Sequence, residues 1–218
     1  MRRSHGWWLA AVIVMSPSLP GAQATTLAAP DTTPTSSTIW LQHVDNTREF
    51  VRRVLASVDH RQRPFAVVDK HAATIAVYRA DGALAGTSAA LLGSTLGDHE
   101  VPGVGERAQS GRLRPGDRTT PAGRFNSEPG RNRDGDAIVW VDYASAFAIH
   151  RLRAGPSKVQ RARRLGSASS ADKRVSDGCV VVPEAFFDAV VKPTLGRGRG
   201  VVYVLPERVA WQDLLQGL

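Results

Sequence analysis

The chain has 218 residues, of which 42% are hydrophobic and 22% charged, and it carries a formal net charge of +8. This length suits one sizeable domain with short appendages, and the positive charge suits an anionic setting such as a cell wall or membrane headgroups. A single cysteine excludes an internal disulfide.

Residues 1–24 have the pattern of a signal peptide. A positive start at residues 1–3 precedes an apolar run at 7–15, and an Ala-x-Ala cleavage pattern occupies 22–24. The alternative is an uncleaved membrane anchor, but the run is well short of the roughly 20 residues that span a bilayer. We therefore predict an exported protein, in the periplasm, with no integral membrane segment after cleavage. Export also argues against a nucleic acid partner.

Residues 25–63 are predicted to be a flexible leader followed by one amphipathic helix. Residues 25–37 are rich in Thr, Ser and Pro without periodicity. Residues 45–58 repeat apolar side chains at helical spacing, which predicts a face that docks on the main domain. That face consists of Phe50, Val51, Val54, Leu55 and Val58.

From residue 64 the pattern becomes that of a β domain, predicted to extend to residue 218. Short β-prone runs occur at 65–68, 74–78, 83–92, 138–143, 147–151 and 201–205, with hairpin signals at Asp81-Gly82 and at 134–136. Such spacing favours a β-sandwich-like core. Short helices are predicted at 156–165, at 183–191 (ended by Lys192-Pro193) and at 206–215.

Residues 93–116 form a long, glycine-rich, polar segment without a sustained apolar pattern. Loops of this length inside compact domains usually serve a function, so we interpret it as a flap over a site.

The chemistry-bearing stretch is 174–183, which holds the lone Cys179. A turn signal, Asp177-Gly178, precedes the thiol and a valine run follows it, which places the thiol at the rim of a strand. There, backbone N–H groups of Gly178 and Cys179 can face a substrate oxygen. The alternative is a buried, inert cysteine, a common fate of the free residue.

A thiol needs a base or a positive field nearby to become a nucleophile. Among the six histidines, only His150 lies on an apolar strand close in sequence to the cysteine stretch. It is the candidate base, the alternative being a half-buried structural histidine.

These elements together resemble the L,D-transpeptidase (YkuD-type) catalytic domain. The resemblance is carried by His150, by Ser176-x-Gly178-Cys179, and by an upstream Thr-Pro-x-Gly-x-Phe at 120–125. It implies a mainly β fold, an L,D-transpeptidase-like mixed β-sandwich with a few short helices. It also implies Cys179 as nucleophile, His150 as general base, and the Gly178 and Cys179 N–H groups as oxyanion donors.

The function implied is ping-pong acyl transfer on peptidoglycan stem peptides through a thioester on Cys179, with no metal or other cofactor. The acceptor is a stem amine or a wall-attached protein. Two alternatives stay open: a hydrolase with the same nucleophile, and a catalytically inactive wall-binding module.

The chain departs from the family pattern at three points. Asp177 stands where the family has His, Val181 where it has Asn or Arg, and 26 positions (176 − 150) separate His150 from Ser176, a gap lengthened by the predicted helix 156–165. Asp177 either orients His150 or serves the turn, and its charge would raise the pKa of the thiol. We expect Ser176 to hydrogen-bond the turn.

The basic residues around the site are candidate readers of substrate carboxylates. Arg151 and Arg174 are nearest to it in sequence. The alternative for most of these residues is a solvated surface. They are Arg151, Arg153, Arg161, Arg163, Arg164, Lys173 and Arg174.

Overall fold

The computed structural model describes residues 36–212, with side chains described from Thr47 onward. The predicted signal peptide, the leader up to residue 35 and residues 213–218 lie outside the described residues. The first element, α1 (Ser36–Ser57), begins nine residues before the predicted start (45 − 36 = 9). Because no Pro or Gly occurs between residues 35 and 63, nothing in the covalent chain interrupts the helix upstream of residue 45.

The rest of the described chain is mostly β, as predicted. Its strands are β1 (Phe65–Asp69), β2 (Thr74–Tyr78), β3 (Leu84–Ala89), β4 (Leu92–Gly93), β5 (Gly123–Arg131), β6 (Ala137–Asp142), β7 (Phe147–Arg151), β8 (Arg174–Ser176), β9 (Val180–Val182) and β10 (Gly200–Leu205). Its short helices are α2 (Val104–Gln109), α3 (Lys158–Leu165), α4 (Glu184–Phe186) and α5 (Lys192–Thr194). Two 3₁₀ turns lie at Pro115–Asp117 and Ala171–Lys173.

Eight strands form one mixed sheet in the order β3-β2-β1-β10-β5-β6-β7-β9, and β4 pairs with β8 beside it. The β1–β10 and β7–β9 pairs are parallel. Val68 and Val202 at one end of the sheet share a single core cluster with Val139 and Ile149 at the other. The two halves of the sheet therefore face each other across one core, which is the predicted sandwich-like arrangement.

The opposite face of β1 and β10 is covered by α1. Phe50 and Val54 are completely buried in a cluster with Phe65 and Tyr203, and the Phe50 and Tyr203 rings meet edge to face at 5.4 Å. The predicted docking of the helix is confirmed for these two positions. Leu55 and Val58, assigned to the same face, are instead 37% and 51% exposed.

The helical segments near the C-terminus differ from prediction. The helix after β9 continues beyond Lys192-Pro193: a π-helical turn, Phe187–Val191, is followed by α5. Lys192-Pro193 therefore does not end the helix: the proline directly follows the π-helical turn and lies in the first turn of α5. Residues 206–211 are not helical, so the predicted terminal helix is wrong over that range.

The segment 93–116 is more ordered than a plain loop. It contains α2, and Val104 and Gly105 are buried. A Cβ on Gly105 would lie 1.8 Å from the Ala144 carbonyl oxygen, so only glycine allows this close approach. The segment is therefore packed against the turn before β7. Among the described residues, no helix is long and apolar enough to cross a membrane.

Candidate active site

The turn that carries the cysteine is held from within by Ser176. The Ser176 hydroxyl donates to the carbonyl oxygen of Cys179 at 2.6 Å and accepts the N–H of Gly178 at 3.2 Å. Gly178 has φ +120°, in the region that favours glycine. Ser176 thus serves the turn, as expected from the sequence. The Gly178 N–H already donates to Ser176, which leaves the Cys179 N–H as the remaining candidate oxyanion donor.

A second hydroxyl, which the sequence reasoning missed, fixes the same turn from outside. Thr120 is fully buried; its Oγ1 donates to the Gly178 carbonyl at 2.8 Å and accepts the N–H of Gly93 at 2.8 Å. It ties the cysteine turn to the start of the 93–116 segment. Thr120 belongs to the upstream motif used for the resemblance, and that motif was the available signal for this role.

Beneath Thr120 lies a buried ionic network. Lys70 is completely buried, and its Nζ donates to Asp98 at 2.7 Å and to the carbonyls of Gly97 and Thr120 at 2.6 and 2.9 Å. Burial lowers the pKa of Lys70, against the effect of its carboxylate partners. Lys70 stands in a polar turn of the sequence, where nothing distinguishes it from a surface lysine.

The register of two parallel strands brings His150 and Cys179 to one face of the sheet. His150 on β7 is level with Val181 on β9, and Cys179 lies two residues before Val181. Cys179 lies in the bend just before β9 and packs with Val181 in one apolar cluster. The cysteine and the histidine therefore lie on the same side of this strand pair. The thiol itself is directed at the carbonyl oxygen of Ala146, 3.6 Å away.

The imidazole of His150 is oriented by the backbone. Its Nδ1 lies 2.8 Å from the Arg151 carbonyl oxygen. A carbonyl only accepts hydrogen bonds, so Nδ1 carries the proton and Nε2 keeps the lone pair of a base. Burial lowers the pKa of His150 to about 4, and the positive charges of Arg153 and Arg161 add to this. The imidazole is therefore neutral near pH 7.

The surroundings of the Cys179 thiol disfavour its ionisation to a thiolate. Burial raises the pKa of Cys179 above its ordinary value, and the charge of Asp177 raises it further. The N–H of Ala148 and the charges of Arg153 and Arg161 oppose that rise. The charges of the same two arginines thus act on the pKa of both Cys179 and His150.

Asp177 does not orient His150. Its carboxylate pairs with Arg118 at 3.1 Å, on the surface. The role that a triad acid would fill is taken by the Arg151 carbonyl. The acid beside the thiol acts on the sulfur only through its charge.

Arg151 and Arg174, the arginines nearest in sequence, are engaged elsewhere. Arg151 pairs with Asp136 at 2.9 Å and with Glu184 at 3.4 Å. Arg174 pairs with Glu207 and donates to the Lys70 carbonyl. Neither side chain lines the pocket of the thiol, because each is held by protein acceptors.

That pocket is narrow, about 20 Å³, which is room for about one water molecule. Its wall on one side is the packed 93–116 segment, through Glu100, Val101 and Val104. The other lining residues are Thr119, Pro121, Ser145, Ala146, Phe147, Asp177, Gly178 and Cys179. No group of three or more potential metal ligands occurs among the residues that the structure describes.

Comparison with known proteins finds no matching family model and no matching curated protein. Among solved structures, the chain is similar to the L,D-transpeptidase LdtMt1 in complex with imipenem (23% identity, 65% of this chain and 58% of that one, TM-score 0.37). It is also similar to Mycobacterium tuberculosis L,D-transpeptidase 1 (20% identity, 65% and 60%, TM-score 0.33). A third is the catalytic domain of the E. faecium L,D-transpeptidase (18% identity, 66% and 98%, TM-score 0.34).

The chain spans less than two thirds of the length of the first two of these proteins.

Proposed function

We propose that the protein is an exported cysteine acyltransferase, of the L,D-transpeptidase type, that acts on peptidoglycan stem peptides. One observation carries the proposal: a pocket-lining thiol and a neutral imidazole, with Nε2 as the unprotonated nitrogen, lie on the same side of the β7–β9 pair. Nucleophilic catalysis by cysteine needs a base within hydrogen-bond reach of the sulfur, and this placement supports His150 as that base. Export to the periplasm is part of the proposal and is supported by the pattern of residues 1–24.

The reaction begins with transfer of the Sγ proton of Cys179 to Nε2 of His150 as the sulfur attacks an amide carbonyl of the donor peptide. The oxygen of the tetrahedral intermediate accepts the Cys179 N–H. The C–N bond then breaks, the leaving amine takes the proton from the imidazolium, and a thioester is left on the sulfur. An acceptor amine attacks that thioester, gives a proton to His150 and releases the thiol.

The raised pKa of the thiol makes the first step a concerted one. A thiolate formed in advance would be disfavoured by burial and by Asp177. Proton transfer to a histidine already neutral at pH 7 avoids that intermediate, because the charge pair forms only as the carbonyl is attacked. For this proton transfer the thiol must first leave the Ala146 carbonyl oxygen.

A catalytically inactive wall-binding module is the second candidate. It is favoured by the hydrogen bond of the thiol to the Ala146 carbonyl and by the raised pKa of Cys179, because both keep the sulfur protonated.

The test is mass spectrometry of the protein after incubation with a tetrapeptide stem and with an acceptor amine. Acyl transfer predicts a thioester adduct on Cys179 that disappears when the amine is added, yielding a cross-linked dimer. A hydrolase yields the trimmed peptide instead of the dimer. The matched control is Cys179→Ala, which must keep the folded circular dichroism spectrum and lose the adduct. An unmodified wild-type protein that still binds the peptide would contradict acyl transfer and favour the inactive module.

A further inference from the structure

The thiol stands between two surfaces of opposite charge. On the side of the 93–116 segment, its pocket is lined by Glu100 and Asp177. Next to it lies a larger cleft of about 510 Å³, lined by Ala108 and Gln109 of the same segment and by Arg131, Arg133 and Arg153. Ala146, whose carbonyl oxygen accepts the hydrogen bond of the Cys179 thiol, lines both, so the two cavities adjoin at this residue.

The three arginines of this cleft, called the arginine cleft below, have no ion-pair partner in the described part of the chain. Arg131 donates to the carbonyl oxygen of Gly135 at 2.5 Å. Asp134 also lines the cleft, and Asp136 lies close enough to Arg153 to feel its charge without pairing, because it pairs with Arg151. Guanidinium groups left without carboxylates beside a reactive site are suited to bind a carboxylate from a ligand.

An aromatic wall completes the cleft. Trp140 and Tyr143 meet edge to face at 5.0 Å, and Tyr143 is 67% exposed. The indole lies across Gly130, where a Cβ would come within 2.4 Å of the ring. An apolar surface next to guanidinium groups matches a peptide segment that carries both methylene groups and a charged end.

We propose that the arginine cleft binds a free carboxylate of the substrate peptide while its scissile carbonyl lies at Cys179. The inference rests on the proposed function and adds the polarity of the substrate: its acidic group lies on the side of Arg133 and Arg153. Glu100 and Asp177 line the thiol pocket instead, and Arg118 compensates only Asp177, so the arginine cleft is the more favourable place for a carboxylate. Arg161 extends the positive field to the sulfur, since it acts on both Cys179 and His150 and its buried Nε has no hydrogen-bond partner among the described residues.

The test measures binding rather than turnover, so that it is separate from the test of acyl transfer. Titration calorimetry on the Cys179→Ala protein compares a tetrapeptide bearing free carboxylates with the same tetrapeptide amidated at those groups. The free acid is expected to bind about tenfold more tightly, the lower end of what charge-assisted hydrogen bonds contribute. Adding Arg153→Gln or Arg133→Gln is expected to remove most of that difference.

The matched control is Arg163→Gln, which makes the same charge change at an exposed position of α3 outside the cleft. It is expected to leave the difference between the two peptides intact. Equal affinity for the two peptides, absence of binding, or an effect of Arg163→Gln equal to that of Arg153→Gln would each overturn the proposal. The proposal would also be overturned if inorganic phosphate, at matched ionic strength, competed with the free-acid peptide as well as an equal concentration of that peptide does. That result would identify a general anion-binding surface.

Discussion

Between pH 7 and pH 4, the free energy of unfolding is expected to fall less in the His150→Gln protein than in the wild type. In the folded protein the pKa of His150 is about 4, lowered mainly by burial, against an ordinary value of 6.5. Between these values the unfolded chain binds a proton that the folded protein does not. Stability therefore rises with pH in this window and falls as the pH drops through it.

The size of the effect follows from the two pKa values. One pKa unit corresponds to about 1.4 kcal/mol, so the free energy of unfolding should fall by about 3 kcal/mol between pH 7 and pH 4 because of His150 alone. Carboxylates whose pKa is lowered, such as Asp98 and Asp117, lose their contribution at lower pH, below their ordinary value of 3.8. They are present in both proteins and cancel in the comparison.

The assay is urea denaturation followed by circular dichroism at pH values from 7 to 4, for the wild type, His150→Gln and His99→Gln. His99 is exposed, so its replacement should leave the wild-type pH dependence intact. The free energy of unfolding of the wild type, relative to that of His150→Gln, should fall by about 3 kcal/mol from pH 7 to pH 4. Parallel curves for these two proteins would refute a buried, neutral imidazole at this position.

Three further outcomes are expected. Thr120→Val removes a hydroxyl that bridges two buried backbone groups. It should lower the free energy of unfolding by about 2–4 kcal/mol in urea titrations. The control Thr87→Val, at an exposed strand position, should change the free energy of unfolding by less than about 0.5 kcal/mol. Phe50→Ala should lower the free energy of unfolding by about 3–5 kcal/mol in the same measurement, because the ring is fully buried between α1 and the sheet. Leu55→Ala, at a partly exposed position, should lower it by less than about 1 kcal/mol. Equal losses of stability for the two variants would mean that α1 is not docked through Phe50. His150→Ala should slow thioester formation by about two to four orders of magnitude in single-turnover experiments, and a loss below about tenfold would identify a different base.

Two of the three sequence features that differ from the motif of the resemblance, Val181 and the longer gap after His150, meet in the structure. Val181 is completely buried and packs with Leu165 of α3 and with Leu152. The longer spacing between His150 and Ser176 contains α3, so the helix that lengthens the gap also covers the position where a polar side chain would otherwise stand. An apolar residue at 181 is what that cover requires.

The sequence by itself determined the local features of this protein. Short β-prone apolar runs predicted the strands around His150 and after Cys179, and the helical spacing of Phe50 and Val54 predicted a docking face. Both signals depend on neighbours a few residues apart. The resemblance carried by 120–125, His150 and Ser176-x-Gly178-Cys179 indicated Cys179 and His150 as the candidate pair for the same reason: each part of the motif is a local pattern.

Only the tertiary structure decided which side chains surround that pair. Lys70, Thr120 and the arginine cleft come from segments far apart in the chain, and their roles follow from contacts that no local pattern encodes. Arg151, next to His150 in sequence, is drawn away by Asp136, whereas Arg153 remains without an ion-pair partner in the described chain. Charge pairing depends on distance in space, and the fold alone sets that distance.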